Sequence, residues 1–281
     1  MPYLTNETSA GATNLVRQRC VFYVSGFDPK GAGHYHSLYR DQAKAHAART
    51  NTTLQIGPRH KLEGGNAAWS VKSGQGGDLV FTHYEFMRWD DVVRNYWEKS
   101  TSALWWQVWS ASVFNIWHGT LWAMYKLSWP PAVALVVPFA LLCAMLFGVP
   151  LVSVSVGLIT HALSGSGWVA VGLTVSLAFA LATWGRKLEA RFSMYWMVRS
   201  YYFTKLQALG KTPDLEHRLN EQALHLVDRL DGAQDDEVLI VGHSSGAIMA
   251  AIIVARALAL RPDARVSLLT LGHWLPLLGL L

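Results

Sequence analysis

The feature that most constrains the fold of this chain is a long stretch without charged side chains. Between Lys126 and Arg186 the sequence contains no Asp, Glu, Lys or Arg. A single membrane-spanning helix needs only about 20 apolar residues. Two apolar runs lie within the stretch, 130–163 and 167–185, and the short polar segment Ser-Gly-Ser separates them. The pattern therefore predicts a helical transmembrane hairpin embedded in a lipid bilayer.

The charges around the hairpin predict its orientation. Basic residues flank it on both sides, and the turn between the two runs has none; the flanking residues are Lys99, Lys126, Arg186, Lys187, Arg191 and Arg199. Because positive charge accumulates on the cytoplasmic side of a membrane, both flanks are expected in the cytoplasm. Residues 1–11 lack the basic start and apolar core of a secretory signal, which favours the same side. We expect an integral protein of the cytoplasmic (inner) membrane.

Tryptophan is concentrated just before the hairpin. Six of these residues lie close together: Trp105, Trp106, Trp109, Trp117, Trp122 and Trp129. Indole rings favour the membrane–water interface, so 101–125 is predicted to be interfacial. The alternative is a tryptophan-rich helix in the core of a soluble region.

Strands and helices are predicted on both sides of the hairpin. β-Branched and aromatic residues at 20–26 predict a buried strand, which a helical segment at 31–50 and further short strands follow. After the hairpin, an amphipathic helix begins near Pro213. A strand, a tight turn, a helix and another strand then follow within 235–273. This order is typical of an α/β domain.

The predicted α/β domain is therefore in two pieces, 1–98 and 201–281, and 99–200 carries the interfacial helices and the hairpin. If both pieces share one sheet, they lie on the same side of the membrane. The number of spans between them is then even. Two spans satisfy this condition, whereas a third span at 101–125 would not unless 130–163 also splits in two.

A serine flanked by glycines stands between the last predicted strand and helix. The segment is Gly-His-Ser-Ser-Gly, 242–246, and apolar residues precede and follow it. A serine hydroxyl becomes a nucleophile when a base takes its proton and nearby donors stabilise the oxyanion. A tight strand-to-helix turn provides this arrangement, and it needs small neighbours because the strand and helix pass closely. The alternative is a glycine-rich turn without catalysis.

These residues resemble the nucleophile elbow of the α/β-hydrolase superfamily, particularly of lipases and esterases with a histidine, here His243, before the serine. The resemblance implies Ser244 as the nucleophile and the backbone N–H of Ser245 as one oxyanion donor. Gly242 and Gly246 would be the elbow glycines. It also implies a mostly parallel sheet with helices on both faces, interrupted by the hairpin where hydrolases often carry a lid.

In that superfamily a glycine-containing loop after an early strand supplies a second oxyanion donor. Gly26 or Phe27 matches its position, and the resemblance covers about 18–98 and 200–275. His34 and His36 follow this loop and would contact substrate or simply begin a helix.

The acid and the base follow the nucleophile in this superfamily. After Ser244 the chain offers only Asp263 and His273. Asp263 has the sequence context of a turn residue, and His273 is the candidate base or a polar residue at a strand end. The expectation is that the acid and base of a longer hydrolase lie beyond Leu281; if the chain is complete, catalysis is badly impaired.

Other site chemistries are not indicated by the sequence. No spacing of Asp, Glu or His suggests a metal, and no dinucleotide or phosphate-binding loop appears, so no cofactor is expected. Cys20 and Cys143 are interpreted as packing residues. The net charge of +5 is not organised into a basic, aromatic nucleic-acid surface and fits anionic lipid headgroups better.

The sequence therefore predicts a membrane-anchored serine hydrolase, an esterase or lipase, with a lipid or acyl-ester substrate. The first alternative is a catalytically silent hydrolase-like membrane scaffold. A transporter is disfavoured because His161 is the one ionisable residue in the predicted spans.

Overall fold

A computed structural model describes residues 16–272 except 51, 76–77 and 233–234. The described chain divides into two compact units. The first contains 16–89 and Leu219–Leu271, and the second contains Asp90–Arg218 and Gly272. The second unit thus begins before residue 99 and ends after residue 200, the limits predicted from the sequence.

The first part of the chain forms five strands and one α-helix: β1 (Gln18–Val24), α1 (Ala32–Thr50), β2 (Thr53–Ile56), β3 (His60–Lys61), β4 (Ala67–Gln75) and β5 (Asp78–Phe86). Helices follow: α2 (Asp90–Asn95), α3 (Thr101–Trp117), α4 (Thr120–Leu127), α5 (Trp129–Cys143), α6 (Val149–Ser164), α7 (Gly167–Phe192), α8 (Met194–Ala208) and α9 (Pro213–Gly232). The last elements are β6 (Glu237–His243), α10 (Ser245–Leu260) and β7 (Ser267–Leu271).

The first unit is built on a mixed sheet. Among the described residues its strand order is β2-β4-β5-β1-β6-β7, with β3 paired to β4. The neighbours β5, β1, β6 and β7 are parallel, whereas β4 is antiparallel to β5, β2 and β3. The prediction of a mostly parallel sheet is corrected in this respect. Only two residues separate β4 from β5, and so short a connection joins antiparallel strands.

Helices cover both faces of this sheet. On one face, Tyr35 and Tyr39 of α1 pack with Trp69 and Phe86. On the other face, His225 of α9 contacts the ring of Phe22. α10 lies beside α9, since Arg256 donates to Asn220 at 2.6 Å.

The second unit is helical. Gly119, at φ 69°, separates α3 from α4. The predicted interfacial segment is thus two helices, and several of its indole rings are exposed, Trp117 by 85%. Ser193, at φ 51°, separates α7 from α8.

Two helical segments are long and apolar enough to cross a membrane, by length and composition. They are Ala132–Ser164, with a mean hydropathy of 2.6, and Gly167–Leu188, with a mean hydropathy of 1.6. The first contains a π-helical turn at Ala144–Gly148, in which the N–H of Val149 donates to the carbonyl of Ala144. Pro150 follows directly and has no N–H to give, which explains the local departure from α-helical hydrogen bonding.

The two segments pack closely against each other. A side chain at Gly157 of α6 would overlap the hydroxyl of Thr174 on α7 and lie 3.4 Å from the carbonyl of Ala170. Glycine at this position therefore permits the close approach of the helices.

Candidate active site

The carboxyl ends of β1 and β6 lie side by side. The strands are parallel and neighbouring, with Val24 opposite Gly242. From β1 the chain continues towards the β5 side of the sheet, and from β6 it continues to β7 on the other side. In an open α/β sheet, the crevice where connections diverge in this way is the usual ligand site. The predicted nucleophile and the predicted oxyanion loop both follow these two strands.

Ser244 occupies the turn between β6 and α10. Its backbone has φ 56° and ψ −124°, a conformation that side-chain-bearing residues rarely adopt. The turn is anchored on β7, because the N–H of Ser244 donates to the carbonyl of Leu271 at 2.8 Å. Such strained residues persist where the surrounding structure holds them, and they concentrate at functional sites.

Only glycine fits at the two positions that flank the serine turn, because backbone atoms lie very close to both. A side-chain carbon at Gly242 would lie 2.5 Å from the Cα of Ala247 and 2.6 Å from the carbonyl oxygen of Gly246. A side-chain carbon at Gly246 would overlap the carbonyl oxygens of Val24 and Ser25. These obstacles are backbone atoms, which cannot rotate away. The strand, turn and helix predicted around the serine are thus present, with the close approach that the two glycines suggest.

The loop after β1 contacts the serine turn directly. A side-chain carbon at Gly26 would lie 3.3 Å from both the Cβ of Ser244 and the carbonyl oxygen of His243. The structure therefore brings the two predicted halves of the site together, although about 220 residues separate them in the chain.

The backbone N–H of Phe27 forms a hydrogen bond inside the first unit. This N–H donates to Ser245 Oγ at 2.7 Å, and both residues are buried. In this structure the Phe27 N–H is used by this bond, and its role as an oxyanion donor stays a prediction. The oxyanion roles of Gly26 and of the Ser245 N–H stay predictions. The N–H of Ser245 belongs to the first turn of α10, where backbone donors have no acceptor within the helix.

Two residues that support the loop, Trp89 and Asp28, were not predicted to do so. The indole N–H of Trp89 donates to the carbonyl of Ser25 at 2.9 Å, and its ring lies against Phe27. Asp28 accepts hydrogen bonds from the hydroxyl of Tyr35 at 3.1 Å and from the N–H of Lys30 at 3.0 Å. The sequence signal for Asp28 is its position directly after the glycine loop. No sequence feature near Trp89 indicates that it contacts this loop.

A general base for Ser244 is not found in the described part of the chain. There, no side chain hydrogen-bonds to the Ser244 hydroxyl. His243 is exposed, with Nδ1 directed to the Gly26 side of the turn. His273, the predicted base, lies outside the described residues. Asp263 lies in an exposed turn and pairs with Arg261 at 3.1 Å, as its context suggests.

His34 and His36 belong to α1, and Cys20 belongs to β1. His36 contacts the carbonyl of Gly57 at 3.0 Å, and His34 is exposed next to Tyr35. Cys20 is buried, and burial raises the pKa of its thiol to about 11, so it stays protonated. No group of three or more metal-ligating side chains occurs among the described residues.

A buried carboxylate forms a second polar cluster that the sequence did not reveal. Glu85 of β5 is fully buried and contacts His225 at 2.6 Å, and it accepts from the amide of Asn66 at 2.8 Å. Gln222 completes the cluster through reciprocal hydrogen bonds with Asn66. Burial alone would raise the pKa of Glu85, but hydrogen bonds led by that of His225 lower it to about 2.

The Glu85 cluster is separate from Ser244. Strand β1 lies between β5 and β6, and Glu85 precedes the end of its strand. The hydrogen bond to Glu85 raises the pKa of His225, against the opposing effect of burial. The pair therefore ties α9 to the sheet as an ion pair.

The turn at Ser244, its two glycines and the adjoining Gly26 loop are features of this chain's own geometry. They give the site its shape and place a strained serine at the crevice of the sheet. Likeness to a known protein adds no support, because no protein-family model, no curated protein and no solved structure matches the chain.

Proposed function

We propose that this chain is a membrane-anchored serine hydrolase of the α/β-hydrolase type, which cleaves carboxylic esters through an acyl-serine intermediate on Ser244. The observation that carries the proposal is the strained backbone of Ser244, enclosed by Gly242 and Gly246, which tolerate no side chain. The Gly26 loop against the same turn supports an oxyanion site beside the serine.

In the proposed reaction, Ser244 Oγ attacks the ester carbonyl carbon while a general base takes the hydroxyl proton. The carbonyl oxygen becomes an oxyanion beside the N–H of Ser245. The ester C–O bond then breaks, and the alcohol leaves with the proton. Water attacks the acyl-serine, which releases the acid and restores the hydroxyl. His273, which lies outside the described residues, is the candidate base that the given sequence offers.

The test is covalent labelling of the full chain by a fluorophosphonate, which reacts with activated serines. We expect labelling of the native chain and of Ser37→Ala, a control in α1, and no labelling of Ser244→Ala. Intact mass gives the stoichiometry. Equal labelling of Ser244→Ala, or no labelling of a folded native chain, would reject the nucleophile.

We propose that the helical segments Ala132–Ser164 and Gly167–Leu188 cross the membrane. In the most apolar windows of these segments only 22% and 6% of the residues are buried, unlike the core helix of a soluble protein. Their exposed side chains are mostly apolar, for example Leu163 and Trp168 at the hairpin turn. Lipid would cover this surface, and we propose that both flanks face the cytoplasm.

This topology is tested by cysteine accessibility in intact cells. In a background without Cys20 and Cys143, Ser166→Cys at the turn is expected to react with a membrane-impermeant maleimide. Lys44→Cys, exposed on α1, is expected to react only after the cells are permeabilised. Labelling of Lys44→Cys in intact cells, or release of the protein by alkaline carbonate, contradicts the topology.

Lipid or acyl-chain esters are the proposed substrate class because the chain carries its own membrane anchor. Turnover of long-chain glycerolipid esters should exceed that of short water-soluble esters, and both should be lost in Ser244→Ala. Turnover of the soluble esters alone rejects the lipid preference and leaves the hydrolase in place.

A silent membrane scaffold is the second candidate. The observation that favours it is the lack, within the described chain, of a side chain bonded to the Ser244 hydroxyl. A folded native protein that neither reacts with the fluorophosphonate nor hydrolyses any ester would establish this alternative.

A further inference from the structure

The second unit has an apolar groove between α4, α5 and the last turn of α3. Its volume is about 460 Å³, which is within the range of small-ligand sites. On α5 the lining residues are Ala132, Val133, Val136, Val137 and Ala140. Successive members of this set are one or three positions apart, so they share one face of the helix and extend over about 12 Å. Their short side chains form one long wall of the groove.

Two aromatic residues of α4 line the groove as well. The rings of Trp122 and Tyr125 are stacked, with their centres 5.7 Å apart. These residues are 61% and 55% exposed, so the part of the chain that the structure describes leaves them largely uncovered. Their indole N–H and hydroxyl are the only polar side-chain groups among the lining residues. A ligand that fills the groove is therefore apolar over most of its length.

A lysine lies at one end of the groove. The Nζ of Lys126 is 5.4 Å from the ring centre of Trp122, and only Ser128 separates α4 from α5, so the charge lies near the start of α5. The sequence has no Asp or Glu between Glu98 and Glu189. Among the described residues Lys126 forms no ion pair. An anionic group is therefore favoured at this end of the groove.

We propose that the groove binds a long-chain fatty acid, with the acyl chain along the α5 face and the carboxylate beside Lys126. The apolar walls take up the chain, and the lysine pairs with the carboxylate. One groove with one cation fits a single chain with a single charge better than a two-chain phospholipid. A second copy of this protein is disfavoured, because it would bring another lysine to a symmetric contact. The site does not depend on Ser244, so its failure leaves the proposed hydrolase untouched.

The first test measures contact between the ligand and Trp122 in the purified full chain, held in a mild detergent. A brominated fatty acid is the probe, because bromine quenches the fluorescence of an indole that it touches. The chain has 13 tryptophans, so the contribution of Trp122 is obtained by difference. We expect saturable quenching in the native chain and its loss in Trp122→Phe. Trp168→Phe is the matched control, since Trp168 is 88% exposed and does not line the groove.

Displacement of the brominated probe tests the role of the charge. Palmitate should displace it at a concentration about fivefold lower than hexadecanol, which has the same chain length and no charge, as one exposed ion pair predicts. Lys126→Gln should abolish this difference between the two ligands. Lys187→Gln removes an exposed cation of α7 outside the groove and should preserve the difference.

Val136→Phe tests the groove itself, because the larger side chain would occupy part of its volume. Val136 is 38% exposed, so the variant should melt near the native temperature while binding weakens about tenfold. Val152→Phe, on α6 outside the groove, is the control. If Val136→Phe does not fold, Trp122→Phe and Lys126→Gln still decide the matter.

Three outcomes would overturn the proposal. The first is quenching that does not saturate, or that is the same in Trp122→Phe as in the native chain. The second is equal displacement by palmitate and hexadecanol. The third is displacement by phosphatidylglycerol at a lower concentration than by palmitate, which would make a phospholipid the occupant.

Discussion

The backbone N–H of Phe27 donates to Ser245 Oγ at 2.7 Å, across 218 positions of the chain. This bond joins the loop after β1 to the first turn of α10. It holds Gly26 against Ser244, so the shape of the candidate site depends on a hydroxyl that is not the predicted nucleophile.

Ser245→Ala removes the acceptor for the buried N–H of Phe27. We expect the free energy of unfolding to fall by about 1–3 kcal/mol, because a buried donor is left unsatisfied. Fluorophosphonate labelling of Ser244 should also slow as the loop loosens. Urea denaturation and labelling rates measure the two effects, with Ser37→Ala as the control. Unchanged stability and rate would show that the bond does not position the loop.

Ser244→Gly should raise the stability of the protein and abolish its labelling by the fluorophosphonate. Glycine adopts φ 56° without steric cost, so relief of strain is expected to raise the free energy of unfolding by about 1 kcal/mol or more. Labelling should be abolished because the hydroxyl is gone. A lower melting temperature than that of the native protein would indicate that the serine side chain stabilises the turn instead.

Gly246→Ala should disrupt the first unit. The added carbon would overlap the carbonyl oxygens of Val24 and Ser25, which belong to the central strand and its loop. We expect destabilisation of about 3 kcal/mol or more, with loss of labelling. Gly232→Ala, at the end of α9, meets no atom within 4 Å and is the matched control. Equal melting temperatures for the two variants would contradict the close approach.

The Glu85–His225 pair predicts how stability depends on pH. The pKa of Glu85 is lowered from 4.5 to about 2, so its contribution is present above pH 4.5 and is lost as pH falls towards 2. The pKa of His225 is raised from 6.5, so its contribution is present below pH 6.5 and is lost as pH rises through the raised value. Stability from the pair should therefore be greatest between about pH 4.5 and 6.5.

Urea denaturation at several pH values measures this dependence. Glu85→Gln should flatten the profile at both ends, and the native chain should lose on the order of 2 kcal/mol between pH 5 and pH 2 relative to the variant. Parallel profiles for the two proteins would show that the pair does not contribute as an ion pair.

Local sequence patterns predicted the strands and the helix around Ser244. The features that these patterns did not predict depend on contacts between residues that are far apart in the chain. The apolar runs around Ser244 and the aromatic run at β1 were sufficient to locate both strands and α10. The direction of β4 depends on a two-residue connection that the apolar pattern does not reveal. The cluster of Glu85, Asn66 and Gln222 joins residues up to 156 positions apart, so no local spacing could indicate it.

The order of the strands has a consequence for synthesis of the chain. β1 can pair with β5 soon after both emerge from the ribosome. Its other neighbour, β6, is synthesised much later, since Arg19 of β1 and Glu237 of β6 are 218 positions apart. At ordinary translation rates the free edge of β1 waits roughly 10–40 s. During that interval the apolar helices of the second unit are also synthesised. A nascent chain with an open strand edge and uncovered apolar segments is prone to aggregation, so its maturation should depend on how promptly those segments are covered.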